Sequence, residues 1–197
     1  MKTEIKKIFD MHHGIVTAKE LKQAGYHYPA IKRLLREGTI IRLKQGYYQW
    51  VEEKEPDEIN IIMRLFPDGI LCMDTALFHY GYSDRTPAEW HIAVSKDSSK
   101  TRFKIDYPFI KPYFIEPACL EIGAVSDDMN GVTVKIYDRE RVVCDCLRYV
   151  NKMDKEIFNK AIQSYVIDNK KNIRNLIKYS KRFNVYKKMQ AWIGVWL

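Results

Sequence analysis

Residues 36–50, REGTIIRLKQGYYQW, constrain the fold more than any other stretch of this chain. Two β-prone runs, TIIRLK and YYQWV, meet around Gln45-Gly46, where glycine supplies the positive φ that a tight hairpin turn requires. An isolated hairpin is barely stable in water, so the residues before it must supply a surface for it to pack on. Those residues read as three helices. Residues 3–12 place Ile5, Ile8, Phe9 and His12 on one face, which predicts a first helix stopped by Gly14. In VTAKELKQAG, Thr17 precedes Glu20 by capping-box spacing, and Gly25 ends a short second helix with Leu21 and Ala24 turned inward. In YHYPAIKRLLREG, Pro29 suits the first turn and Gly38 the position beyond the last. Ile31, Leu34 and Leu35 form the buried stripe of this third helix.

That stripe consumes the aliphatic residues and leaves Lys32, Arg33 and Arg36 facing outward. Helix, helix, helix and hairpin are the order of a winged helix-turn-helix, expected here over residues 1–52. In that fold the third helix enters the major groove and the wing tip touches backbone or minor groove. The candidate DNA contacts are therefore His27 and Tyr28 at the helix start, Lys32, Arg33 and Arg36 along it, and Arg42, Lys44 and Gln45 on the wing. Lysine and arginine neutralise phosphates, and arginine also reads guanine bidentately. Strand alternation puts Tyr48 and Trp50 on the core face and Tyr47 on the other, exposed near the wing.

Charge follows the same division. Of a net +8, residues 1–50 carry +6, residues 51–166 carry −5 and residues 167–197 carry +7. Basic ends around an acidic middle suggest two surfaces suited to polyanions. In the C-terminal part Ile173, Leu176, Ile177, Phe183, Val185, Tyr186, Met189, Trp192 and Trp196 recur at helical spacing and are expected to face a core. Lys170, Lys171, Arg174, Lys178, Lys181, Arg182, Lys187 and Lys188 occupy the remaining surface. Three readings of that second basic surface stay open: DNA phosphates, an acidic protein partner, or solubility alone.

Between the basic ends, EEKEPDE (residues 52–58) reads as a linker or the start of the next helix. DEINIIMRLF is helical up to the PDG break, and MDTALFHYGY is a short helix with Asp74 or a neighbour near its start and Gly81 at its end. The segments AEWHIAVS, RFKIDYPFIKPYFI, CLEIGAV and GVTVKIY are β-rich, with DDMNG (127–131) as a turn. Asp138 caps DRERVVCDCLRYV, whose Val142, Val143, Cys146 and Leu147 pack inward. Residues 154–167, 170–182 and 185–196 read as three further helices. The expected fold is α+β: the N-terminal winged helix-turn-helix, then an α+β domain over 57–197 built from a small sheet and a C-terminal helical bundle.

At this point the residues match a known pattern. The stretch GIVTAKELKQAGYHYPAIKRLLREGTIIRLKQGYYQW resembles the N-terminal domain of the AbiEi family, antitoxins of type IV toxin–antitoxin and abortive-infection systems in phage defence. The family's basic hairpin pattern falls on Arg36, Gly38, Ile40, Arg42, Gly46 and Tyr48, and the departures at Ile40 and Tyr47 keep hydrophobic character. MDTALFHYGY looks like the start of the family's second domain, and YDRERVVCDCLRY is similar to its helix opening at Glu140, Arg141, Val143 and Asp145. The resemblance implies a transcriptional repressor that binds double-stranded operator DNA, autoregulates its operon and counters a co-encoded nucleotidyltransferase-like toxin. A winged-helix regulator without a toxin partner is the alternative.

Other classes find less support. The Asp/Glu-x-Lys matches of a nuclease, Glu4-Lys6, Glu20-Lys22, Glu52-Lys54 and Asp168-Lys170, fall in helices or linkers and not on paired strands. P-loop, GxGxxG and GxSxG motifs are absent. No enzyme activity and no cofactor are expected. Cys72, Cys119, Cys144 and Cys146 form no CxxC pair and read as reduced, mostly buried residues; with His12 and His13 diverging on a helix, no metal site is expected either. No apolar run approaches the ~20 residues of a membrane helix, and the N-terminus lacks a signal peptide's apolar stretch, so a cytoplasmic protein with no membrane partner is expected.

Overall fold

The computed structural model describes residues 2–51 and 57–196, so most of the expected linker at 52–58 lies outside the described residues. Two compact units emerge. One comprises residues up to Pro67 together with Lys100–Phe109, and the other comprises Asp68–Ser99 and the chain from Ile110 onward.

The first unit runs α1 (Lys2–Met11), β1 (Ile15–Thr17), α2 (Ala18–Gln23), α3 (Tyr28–Arg36), β2 (Ile40–Lys44), β3 (Tyr47–Trp50) and α4 (Glu58–Leu65). β1, β3 and β2 form an antiparallel sheet in that order, with Val16 opposite Tyr48 and Ile40 opposite Trp50. Ile5, Phe9, Val16, Leu21, Ile31, Leu34, Ile40 and Tyr48 make one buried cluster, and Trp50 packs on its edge 5.4 Å from the Phe9 ring. The expected capping box at Thr17 and Glu20 is present. Leu35 is only half-buried and Ala24 is exposed as the C-cap of α2, because that helix ends a residue earlier than its apolar pattern suggests.

Two features of this unit differ from expectation. β1 is three residues long, too short to show alternation, and exists because β3 supplies its backbone partners. α4, expected in the second domain, packs in the first. Its Arg64 Nε donates to the Ile15 carbonyl at 3.2 Å, and its guanidinium engages Glu20 and lies 3.4 Å from His12 Nδ1.

The second unit contains β4 (Ile70–Leu71), α5 (Met73–His79), β5 (Trp90–Ser95), β6 (Ile110–Ile115), α6 (Pro117–Leu120), β7 (Ala124–Met129), β8 (Val132–Tyr137), α7 (Arg139–Tyr149), α8 (Lys155–Ile167), α9 (Ile173–Arg182) and α10 (Tyr186–Trp192). The mixed sheet has the order β6-β5-β4-β8-β7. β5 and β6 are parallel, as are β4 and β8, while β7 and β8 form a hairpin. α7 is buried from Glu140 through Leu147, so it is the helix around which the others gather. Asp138 caps it as expected, accepting from the Arg141 N–H at 2.8 Å.

Three sequence readings are corrected here. DDMNG is not a turn throughout: β7 continues to Met129, and only Asn130 (φ 55°) and Gly131 (φ 81°) turn, the paired positive φ values of a type I′ hairpin. Of CLEIGAV, the first part belongs to the short helix α6, entered through Pro117, and strand begins at Ala124. In RFKIDYPFIKPYFI the strand begins only at Ile110, because the preceding residues pack with the first unit.

The C-terminal stripe is also less buried than its periodicity implies. Leu176, Val185 and Met189 are buried, but Trp192 and Trp196 remain 45% and 68% exposed. α10 ends at Trp192 and gives way to a 3-10 turn, which moves Trp196 off the buried face.

Candidate nucleic-acid interface

α3 forms where its capping residues dictate. His27 holds an extended φ of −84°, Pro29 occupies the first turn, and Gly38 closes the helix at φ 66°. Ile31 and Leu34 are buried at 4% and 3% exposure. The opposite side presents Lys32 and Arg36 exposed, with Arg33 half-buried and its Nε 3.8 Å from Glu37. His27 and Tyr28 are exposed at the helix start, Tyr28 by 71%. The arrangement offers cations, a phenol and an imidazole along one short helix, which suits phosphate contact and base-edge hydrogen bonding.

On the hairpin, Arg42 and Gln45 are exposed. Lys44 is not. Its Nζ donates to the Leu65 carbonyl at 2.9 Å and lies 4.6 Å and 4.3 Å from the ring centroids of Tyr47 and Phe66. The expectation that Lys44 projects as a wing contact is therefore corrected, because the end of α4 supplies it with an acceptor and two aromatic faces. Tyr47, expected to be exposed, is half-buried beneath it. The hairpin tip is tied down as well: the Gly46 carbonyl accepts the Ala18 N–H at 2.8 Å, joining it to the start of α2.

Glu20 stands in the first turn of α2, where it completes the capping box with Thr17. Burial alone would raise its carboxyl, but hydrogen bonds from Arg64 and Thr17 outweigh that and hold it near a pKa of about 2. Its negative charge is thus permanent near neutral pH and is matched by Arg64. Sequence reasoning missed Arg64, Phe66, Arg102 and Phe103, which lie outside the expected domain and carry no local motif.

The eight C-terminal cations do not form one uniform surface. Arg174, Lys178, Lys181 and Arg182 are exposed along α9, and Lys170 and Lys187 are exposed beyond its ends. Lys171 instead donates to the Asp168 carbonyl at 3.3 Å, and Lys188 to the Leu147 carbonyl at 3.1 Å, each satisfying a helix end.

The Glu140, Arg141 and Asp145 set in the second unit is structural. Arg141 is fully buried between the rings of Tyr137 and Phe183, 4.1 Å from each centroid. Its Nη1 donates to the carbonyls of Cys119 and Ile122 at 2.8 Å and 2.6 Å. Glu140 accepts the Asn172 N–H at 2.7 Å and so fastens the start of α9. Of the nuclease-like pairs, Glu4-Lys6 lies in α1, Glu20-Lys22 in α2 and Asp168-Lys170 just after α8, while Glu52-Lys54 is outside the described residues. Cys72, Cys144 and Cys146 are buried free thiols, and Cys119 is half-buried. Among the described residues no three His, Cys, Asp or Glu side chains gather as metal ligands, and no helix is long and apolar enough to cross a membrane.

Residues 4–50 match the family model of the AbiEi antitoxin transcriptional regulators. The match lies wholly within the first unit. The match covers α1 through β3 and so contains all of the α3 and hairpin surface described above. The AbiEi resemblance read from the sequence thus holds over the segment that bears the candidate interface. Among solved structures, the RV2827C protein from Mycobacterium tuberculosis is similar over 91% of this chain and 75% of its own, with a TM-score of 0.53 and 14% identity. At that identity the likeness is one of fold, and it extends well beyond the AbiEi segment. No curated protein sequence matches the chain.

Proposed function

We propose that this protein is a cytoplasmic DNA-binding repressor that serves as the antitoxin of a type IV toxin–antitoxin operon. It represses its own promoter and counters a co-encoded nucleotidyltransferase-like toxin, and the proposal includes no catalytic step of its own. The observation that carries the reading is α3: its aliphatic side is buried, and Lys32, Arg33 and Arg36 are gathered on the other side within a matched AbiEi domain. Arg42 and Gln45 stand on the adjoining hairpin as further contacts. The exposed run on α9 is read as a second contact to duplex phosphates.

The test is a gel-shift titration with the DNA upstream of the protein's own gene. Arg33→Ala/Arg36→Ala should bind it at least about tenfold more weakly, the loss of one good base or charged contact being worth about 1–3 kcal/mol. Unchanged affinity in a folded variant overturns the DNA reading. Toxin antagonism is tested separately, by whether this chain restores growth when the neighbouring nucleotidyltransferase-like gene is induced; failure to do so leaves a regulator without the antitoxin role.

A further inference from the structure

β5 and β6 are parallel neighbours, so the chain must cross over from the end of one to the start of the other. That crossover is Lys100–Phe109 with the residues just before it, and it packs as part of the AbiEi-bearing unit. Phe103 stacks on Phe66 with ring centroids 5.1 Å apart and planes within 3°. Arg102 lies over the same pair of rings, 5.4 Å and 5.5 Å from their centroids. Further along, the Tyr107 hydroxyl donates to the Glu58 carboxylate of α4.

Phe66 is the shared element, since the ammonium of Lys44 at the hairpin end rests 4.3 Å from its centroid. Lys44 and Arg102 therefore lie at most about 10 Å apart. That separation, close to the Debye length of about 8 Å at physiological salt, places the crossover beside the hairpin, near enough for its cations to act on a polyanion held there. Lys100 and Lys104 are exposed on either side of Arg102, the first opening a 3-10 turn that ends at Phe103 and the second just after it. The crossover's acidic residues, Asp97 and Asp106, lie outside that turn. The Lys44 ammonium is held by the Leu65 carbonyl, and the crossover adds two exposed lysines beside the hairpin.

We propose that Lys100, Arg102 and Lys104 form a second wing, a phosphate-contacting element that extends the duplex footprint beyond α3 and the hairpin without reading sequence. This rests on the DNA-binding reading above. The side chains are cationic and flexible at their tips, and the aromatic stack fixes their backbone, which suits phosphate positioning more than base recognition.

The experiment measures binding of the full chain to a random-sequence duplex and to the DNA upstream of its own gene across a salt series. In Lys100→Gln/Lys104→Gln the slope of log K against log[salt] should shrink by about 1.8, or about 0.9 for each phosphate no longer neutralised. The ratio of the two affinities should stay as in the wild type. A charge-reversed Lys100→Glu/Lys104→Glu chain should bind more weakly still, with its urea midpoint checked to show that it is folded. A wild-type slope in both variants overturns the second wing alone. A wild-type chain that binds neither duplex overturns the DNA reading and this inference with it.

Discussion

Lys44 Nζ donates to the Leu65 carbonyl across 2.9 Å, joining the wing hairpin to the last turn of α4. The ammonium also faces the Tyr47 and Phe66 rings, so it is held by a charge-assisted hydrogen bond and by cation–π attraction. Lys44→Met keeps the aliphatic stem and removes both. The prediction is a loss of about 1–3 kcal/mol in urea unfolding, the range for stranding a buried acceptor. The salt slope of DNA binding should stay unchanged, which separates this lysine from Arg42.

Arg141 and Asp145 form the second unit's most demanding contact. Nε donates to Oδ2 at 3.0 Å, both side chains are buried, and Arg141 Nη2 and Asp145 Oδ1 lack further hydrogen-bond partners among the described residues. Removing one member strands a buried charge. Asp145→Ala should therefore cost about 3–5 kcal/mol, while an apolar double replacement such as Arg141→Met/Asp145→Leu should cost less than either single change. Gly123→Ala should also destabilise the unit. Gly123 sits at φ +81°, and a Cβ there would approach the Arg141 Cβ to 2.6 Å. Urea midpoints of these variants check the order.

These contacts mark where the sequence is readable and where it is not. The α3 face is legible because one helix decides it: Ile31 and Leu34 go inward and the cations between them go outward. Asp138 is legible for the same reason, as its cap acts within its own turn. The destination of Lys44 is not legible, because its acceptor lies on an element that the sequence assigns to another domain. The crossover at Lys100–Phe109 reads as strand because Phe103, Ile105 and Tyr107 alternate, whereas the chain there follows Phe66 and Glu58. The tail lysines divide similarly: spacing places Lys171 and Lys188 on a surface, but only the fold brings a helix-end carbonyl within their reach.

His91 gives the second unit a pH dependence. Burial, helped by the charge of Lys111, lowers its pKa from 6.5 to about 4. Its Nδ1 accepts the Asp74 N–H at 3.2 Å, an interaction that requires the neutral ring. Because the folded value lies below the unfolded one, this contribution is complete above about pH 6.5 and declines as pH falls towards 4. An NMR titration should show His91 neutral at about pH 5. His91→Gln, whose amide oxygen accepts the same N–H, should flatten the stability curve between those pH values. An inflection for His91 near 6.5 would contradict the assignment.

The exposed face of α9 decides how far the proposed DNA contact extends beyond residues 4–50. Arg174, Lys178, Lys181 and Arg182 fall within an arc of about 100° at 3.6 residues per turn. Leu176, Tyr179 and Ser180 are buried on the other side. Lys181 leans towards the Tyr186 ring at 5.3 Å, and among the described residues no carboxylate pairs with Arg174, Lys178 or Arg182. If this run contacts duplex phosphates, Arg174→Gln/Lys178→Gln/Arg182→Gln should shrink the salt slope by up to about 2.7. An unchanged slope together with failed growth rescue against the toxin would place a protein partner on α9. With both readouts unchanged, the charges would serve solubility alone, as a solvated helix face does.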